Sequence, residues 1–152
     1  MKIPLKSWKR ECGSSSVEFS LIAVMFVMLL LGVIEMGRMI LVYTTIAQAA
    51  KAGARYAIVH GGFRTGTGAS GPSGPGNTTQ IETVVQNFAS AGSVDTANPP
   101  LTTAVTYPIC GTNQPGCPVQ VTVTYAFTPM LGYFNSMLSM TLSSTSEGVI
   151  TF

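Results

Sequence analysis

The chain has 152 residues, enough for one domain or for a smaller domain with an anchor. Hydrophobic residues make up 46% and charged residues only 9%, with a mean hydropathy of +0.38, where soluble domains carry roughly 25% charge. Eight bases and a net charge of +2 form no basic stripe for nucleic acid, and the apolar content excludes a disordered chain. All the bases lie at or before Arg64, while residues 65–152 carry only Glu82, Asp95 and Glu147. These features fit a small protein with one membrane segment and a weakly acidic second half.

Residues 1–13 are basic, with Lys2, Lys6, Lys9 and Arg10. Phe19 to Ile34 then runs without a charge between Glu18 and Glu35. With the mostly apolar stretch that follows, it reaches the ~20 residues that span a bilayer. The positive cluster before it predicts a cytoplasmic N-terminus and an external C-terminal part. Val33-Ile34-Glu35-Met36 is a poor signal-peptidase site, so the segment reads as a retained anchor.

The helical pattern continues past the membrane. Met39, Ile40, Tyr43, Ile46, Ala47, Ala50, Gly53, Ala54, Ala57 and Ile58 recur at spacings of three and four. No proline interrupts residues 14–59, and Gly61-Gly62 supplies a C-cap. A helix from about Ser16 to Val59 would be about 65 Å long. The Ala/Gly lining of its projecting half allows close approach, either to another helix or to the chain's own domain, and both readings stay open.

Residues 61–78 are a Gly/Ser/Pro/Thr connector. Thr79-Gln80-Ile81-Glu82 has capping-box spacing. Ile81, Val84, Val85 and Phe88 then predict a short amphipathic helix over 79–91. Three strands follow. Leu101 to Ile109 alternates weakly, and Val119 to Phe127 alternates cleanly with Gln120, Thr122, Thr124 and Ala126. Met137 to Thr145 would place Leu138, Met140 and Leu142 inward. The expected fold is α+β: a long N-terminal helix with a small antiparallel sheet of about three strands and one short helix. The organisation is a basic leader over 1–13, a transmembrane helix over 14–38, its continuation over 39–60, the connector over 61–78 and a head over 79–152.

Cys12 falls on the cytoplasmic side and should stay reduced. Cys110 and Cys117 flank the turn-rich Gly-Thr-Asn-Gln-Pro-Gly. That span brings two Cα atoms within disulfide reach, and an oxidising exterior favours the bond. A metal site would need further ligands, and the only histidine is His60. No cofactor is expected. Gly66 to Gly71 matches G-x-G-x-x-G but lacks the preceding strand of a dinucleotide site. His60 sits at a predicted helix end, as a dipole partner rather than a base. Asn77-Thr78-Thr79 is a literal glycosylation sequon that reads as part of the helix cap. No catalytic constellation emerges, and no enzyme is expected.

The informative constellation is Gly13-Ser14-Ser15-Ser16-Val17-Glu18-Phe19. An ionised Glu18 at membrane depth costs several kcal/mol unless paired. A cut after Gly13 would free an amine at Ser14 with the reach to pair it, from the same chain or a neighbour. Alternatively, Ser15 and Glu18 form a capping box at the headgroups.

Gly13 with Glu18 five positions on, before an apolar helix, resembles the processing site of type IV prepilins. Glu35-Met36-Gly37-Arg38 and the A-x-x-G-A-R-Y-A pattern from Ala50 to Ala57 resemble TadE-like proteins, minor pseudopilins of the Tad (tight adherence, Flp pilus) assembly system. Val121 to Leu131 is similar to that family's last strands. The resemblance implies cleavage after Gly13 by a prepilin peptidase, Ser14 as a mature N-terminus open to methylation, and Glu18 as the carboxylate that registers subunits. It implies that Glu35 and Arg38, three apart, pair where the helix leaves the bilayer. Its implied partners are the peptidase, other pilins or pseudopilins, and the Tad platform. Its implied location is the bacterial inner membrane with a periplasmic head. The mature chain would far exceed the very short major pilins, which argues for a minor subunit. An uncleaved, membrane-anchored periplasmic binding or scaffold module is the alternative.

Overall fold

The computed structural model describes residues 12–92, 94–97, 100–130 and 140–151. Residues 1–11 of the leader expected over 1–13, and residues 137–139 of the expected third strand, lie outside them. Helix α1 runs Cys12–Val59, a 3₁₀ turn covers Gly68–Ser70, and α2 runs Thr79–Ala91. Strands β1 (Thr102–Thr106), β2 (Pro118–Phe127) and β3 (Met140–Val149) follow. The fold is α+β, as the patterning implies. The chain divides into two compact units, one ending at Gly37 and one beginning at Arg38.

The first unit is helical, and its large apolar side chains, from Val17 through Met36, are exposed. It belongs to a helix long and apolar enough to cross a membrane. The helix begins at Cys12 rather than near Ser16. Once an apolar helix is nucleated, each further residue adds one hydrogen bond, and no proline opposes extension through Gly13 to Ser15. Ser15 therefore sits within the helix and not at its cap, so the Ser15–Glu18 capping box does not form.

The second unit is built around the head portion of α1. Ile46, Ala49, Ala50, Ala54 and Ala57 form a buried stripe on it. Against this stripe pack Ile81, Val85 and Ala89 of α2 and Val119, Val121, Val123, Tyr125 and Phe127 of β2. Each fully buried Ile or Val contributes about 1.5–3 kcal/mol. Gly53 marks a close approach: a Cβ there would lie 2.6 Å from Val85 Cγ2 and 3.3 Å from Val121 Cγ1. The Ala/Gly stripe thus packs on its own domain.

The sheet is an antiparallel meander in the order β1-β2-β3. Its register runs from Pro118↔Val149 to Phe127↔Met140, and pairs Thr102 with Thr124. The inner face of β2 is the one its alternation predicts. Its other face carries a hydroxyl ladder, with Thr122 Oγ1 and Thr145 Oγ1 3.0 Å apart.

Five local expectations need correction. β1 covers only Thr102–Thr106 of the expected 101–109, and Pro108, two residues past its end, has no N–H to extend the ladder. β3 runs past Thr145 to Val149 because ten-residue β2 offers partners that far. Met140 is 47% exposed rather than inward, whereas Leu142 is buried. On α2 the inward face is Ile81, Val85 and Ala89, which leaves Phe88 exposed. The N-cap of α2 is Thr78, without a side-chain cap bond, and Thr78 Oγ1 donates instead to Glu82 Oε1 at 2.7 Å.

The Gly53 contact is testable. In an exposed helix Gly→Ala stabilises by about 1 kcal/mol, but overpacking costs about 1–3 kcal/mol. Gly53→Ala should therefore lower head stability by about 1 kcal/mol in urea unfolding. Adding Val85→Ala should make the Gly53→Ala step favourable, the non-additivity expected of touching side chains.

Candidate functional site

The processing residues come first along the chain. Gly13 and Ser14 lie on the first turns of α1. Glu18 is exposed and makes no hydrogen bond or ion pair among the described residues. Glu35 lies half-buried in the first unit.

Arg38 opens the second unit. Its guanidinium carbon sits 4.6 Å from the centre of the Phe127 ring, and Nη2 donates to the carbonyl of Thr128. A cation over an aromatic face contributes about 0.5–2 kcal/mol, depending on desolvation. The contact joins the start of the head's helix to the end of β2, across 90 residues of sequence. Sequence reading assigns Arg38 to Glu35 and carries no signal for the distant ring.

At the other end of the head's helix lies a polar clasp. Cys110 and Cys117 are joined in a disulfide with their Cα atoms 5.8 Å apart. Within the loop they close, the Asn113 carbonyl accepts from Gly62 N–H at 2.7 Å, and Asn113 Nδ2 donates to the Ser73 carbonyl at 2.8 Å. Ser73 in turn donates through N–H and Oγ to the His60 carbonyl, at 2.7 and 3.0 Å. Gly116 N–H donates to the Ile150 carbonyl at 2.8 Å, and Ile150 N–H donates back to the Cys117 carbonyl at 3.0 Å. The loop therefore ties together the end of α1, the Gly-rich connector and the segment after β3. Gly74 must be a glycine here, since a Cβ would stand 2.8 Å from Asn113 Nδ2. Asn113 was missed at the sequence level. Its signal is an amide, both donor and acceptor, inside a short Cys-closed loop.

His60 is buried, with Nδ1 2.9 Å from the Tyr56 carbonyl oxygen and its ring stacked on Tyr56 at 3.8 Å. It is a packing residue of the helix end. Beside it, Phe63, Arg64, Thr65, Ser70, Pro115 and Thr151 line a shallow open depression of about 470 Å³. Arg64 spends Nε on the Ser70 carbonyl at 3.2 Å. The depression gathers no nucleophile beside a base. Among the described residues, no three His, Cys, Asp or Glu side chains converge as a metal site would require. The Gly66 to Gly71 motif lies in the connector around the 3₁₀ turn, not between a strand and a helix.

Buried phenols form the remaining electrostatic feature. Burial raises Tyr107 above the ordinary tyrosine range. Burial also raises Tyr125, with a further push from Asp95 and a smaller opposing pull from Arg38. Tyr107 is 9% exposed, and its hydroxyl has no hydrogen-bond partner among the described residues.

These features describe an α+β head on a helix able to cross a membrane, with its polar contacts devoted to joining elements. Residues 13–55 match the family model for TadE-like proteins. The match ends before the connector and the sheet. No curated protein and no solved structure matches the chain.

Two predictions follow from the site geometry. Arg38→Lys keeps the charge but loses the planar stacked fork, and should lower head stability by about 1 kcal/mol in urea unfolding. Alkaline titration tests the phenols. Above about pH 10 an unfolded chain releases tyrosine protons that the folded chain retains. The stability these groups contribute is therefore complete below that pH and falls as pH rises past it. Phenolate absorbance near 295 nm should grow together with loss of the far-ultraviolet helix signal, and Tyr107→Phe should shift that transition to higher pH.

Proposed function

We propose that the chain is a minor pseudopilin taking part in assembly of Tad (Flp) pili, with a structural rather than an enzymatic role. The observation that carries this reading is the TadE-like match, which begins on Gly13 itself. The leader is cytoplasmic, and a prepilin peptidase cuts after Gly13 to leave Ser14 as the new N-terminus. The helix stays in the inner membrane and the head lies in the periplasm. Glu18, exposed on the helix, then takes the freed amine of a neighbouring subunit as its counter-charge, which offsets its cost in the bilayer. Other pilins or pseudopilins and the Tad platform are the partners, and the service to the cell is adhesion.

One observation favours a second reading, an uncleaved, membrane-anchored binding or scaffold module. The Ala/Gly stripe is covered by the chain's own α2 and β2. That face of the helix is thus committed within the chain, as a self-contained head requires.

The intact mass of the membrane-extracted protein, with and without active prepilin peptidase, separates the readings. Loss of residues 1–13 only with active peptidase is the expected result, and Gly13→Leu should abolish it. An uncut chain in both conditions would make the anchored module the better reading. A cut between residues 34 and 45 would mean an ordinary signal peptide and exclude both.

A further inference from the structure

We propose that the Cys110–Cys117 disulfide is a thiol-exchange site, entered at Cys110 Sγ, whose reduction opens the clasp while leaving the α1–α2–β2 core in place. The inference concerns the head alone and holds for either function above. The two cysteines are unequal: Cys110 is exposed, whereas Cys117 is 7% exposed at the start of β2. A thiolate attacks a disulfide sulfur from behind, along the S–S axis, so access decides which sulfur reacts. Cys110 is the residue open to solvent, so its sulfur is the side from which the thiolate enters. The leaving side is also provided for, because Thr112 Oγ1 lies 3.8 Å from Cys117 Sγ and can donate to a thiolate there.

The fitting reagent is a dithiol, most simply an external protein dithiol with one accessible thiolate. Its first thiolate forms a bond to Cys110 Sγ. The Cys110–Cys117 bond breaks, and its electron pair leaves on Cys117 Sγ. The second thiolate of the reagent then displaces Cys110 from the mixed disulfide. The reagent loses two electrons and becomes a disulfide, and the protein gains two thiols once both thiolates are protonated. Run backwards, the same steps install the bond in a newly folded head.

The structural consequence is local because of what the loop holds. Asn113 is the link between Gly62 and Ser73, and Gly116 and Cys117 hold Ile150. All four tethers lie within or beside the span the disulfide closes. None of the fully buried residues Ile46, Ile81, Val85, Val121 and Val123 lies in that span. Releasing the bond gives the loop back its conformational freedom and exposes these tethers to local opening.

The test uses the full chain in detergent, with Cys12→Ser to remove the third thiol. The folded protein is incubated with reduced glutathione and quenched in acid, free thiols are alkylated, and the peptides are weighed. The expected products carry glutathione on Cys110 and the alkyl group on Cys117. Glutathione on Cys117, an even split, or no adduct short of unfolding would overturn the entry point. Hydrogen exchange before and after full reduction tests the clasp. Amides at Gly62, Gly116 and Ile150, each in a hydrogen bond of the loop, should exchange about tenfold faster or more, while those of α2 and β2 keep their protection. Unchanged exchange at these three amides would overturn the clasp, and loss of protection throughout the head would overturn its local character. A Cys110→Ser/Cys117→Ser chain should show the same exchange pattern as the reduced protein.

Discussion

The head depends on how closely α1 approaches the layer beneath it. At Gly53 there is no room for even a β-carbon, because the methyl groups of Val85 and Val121 fill the space. Buried alanines at 49, 50, 54 and 57 continue the small-residue surface along the helix. Dispersion attraction fades within an ångström of the optimum, so a larger side chain at any of these positions would part the whole surface and not one contact. The requirement recurs where the sheet ends: a Cβ on Gly148 would lie 2.4 Å from Ile58 Cδ1. Small residues on both sides of the interface thus set one spacing, and the valines and Ile81 fill it.

Polar contacts close the head where this apolar layer gives out. At the start of the head's helix Arg38 caps the end of β2 through the Phe127 ring and the Thr128 carbonyl. At the helix end Asn113, Ser73 and the Ile150 backbone do the corresponding work. Most of the groups they pair are backbone carbonyls and amides at the ends of elements, where the helix and strand ladders no longer supply partners.

Much of this was legible in the sequence, for identifiable reasons. The α2 helix, the inner face of β2, the end of α1 and the disulfide pair each rest on a local signal: a 3.6-residue period, a two-residue alternation, a paired glycine, a turn-rich loop. The misreadings share a different cause. Met140 is apolar yet exposed, Phe88 falls on the outward face of α2, and β3 extends through polar Ser146 and Glu147. Each is decided by which partner the element meets, information that does not reside in its own residues. Arg38 shows the same limit in another way: its stacking on Phe127 leaves no local signal, because the sheet brings the ring there. Likewise both readings of the Ala/Gly stripe were chemically sound, and only the position of α2 and β2 showed which surface covers it.

The last described residues complete what the first part of the head begins. Thr151 N–H bonds the Ile58 carbonyl, and buried Ile150 follows the strand that closes the sheet. Synthesis delivers α1 before α2 and β2, so the slot at Gly53 stays open until Val85 and Val121 have been made. Contacts of such long sequence separation are slow to form. The nascent protein therefore carries an uncovered small-residue groove until β2 has emerged, and the closing of the core waits on that strand.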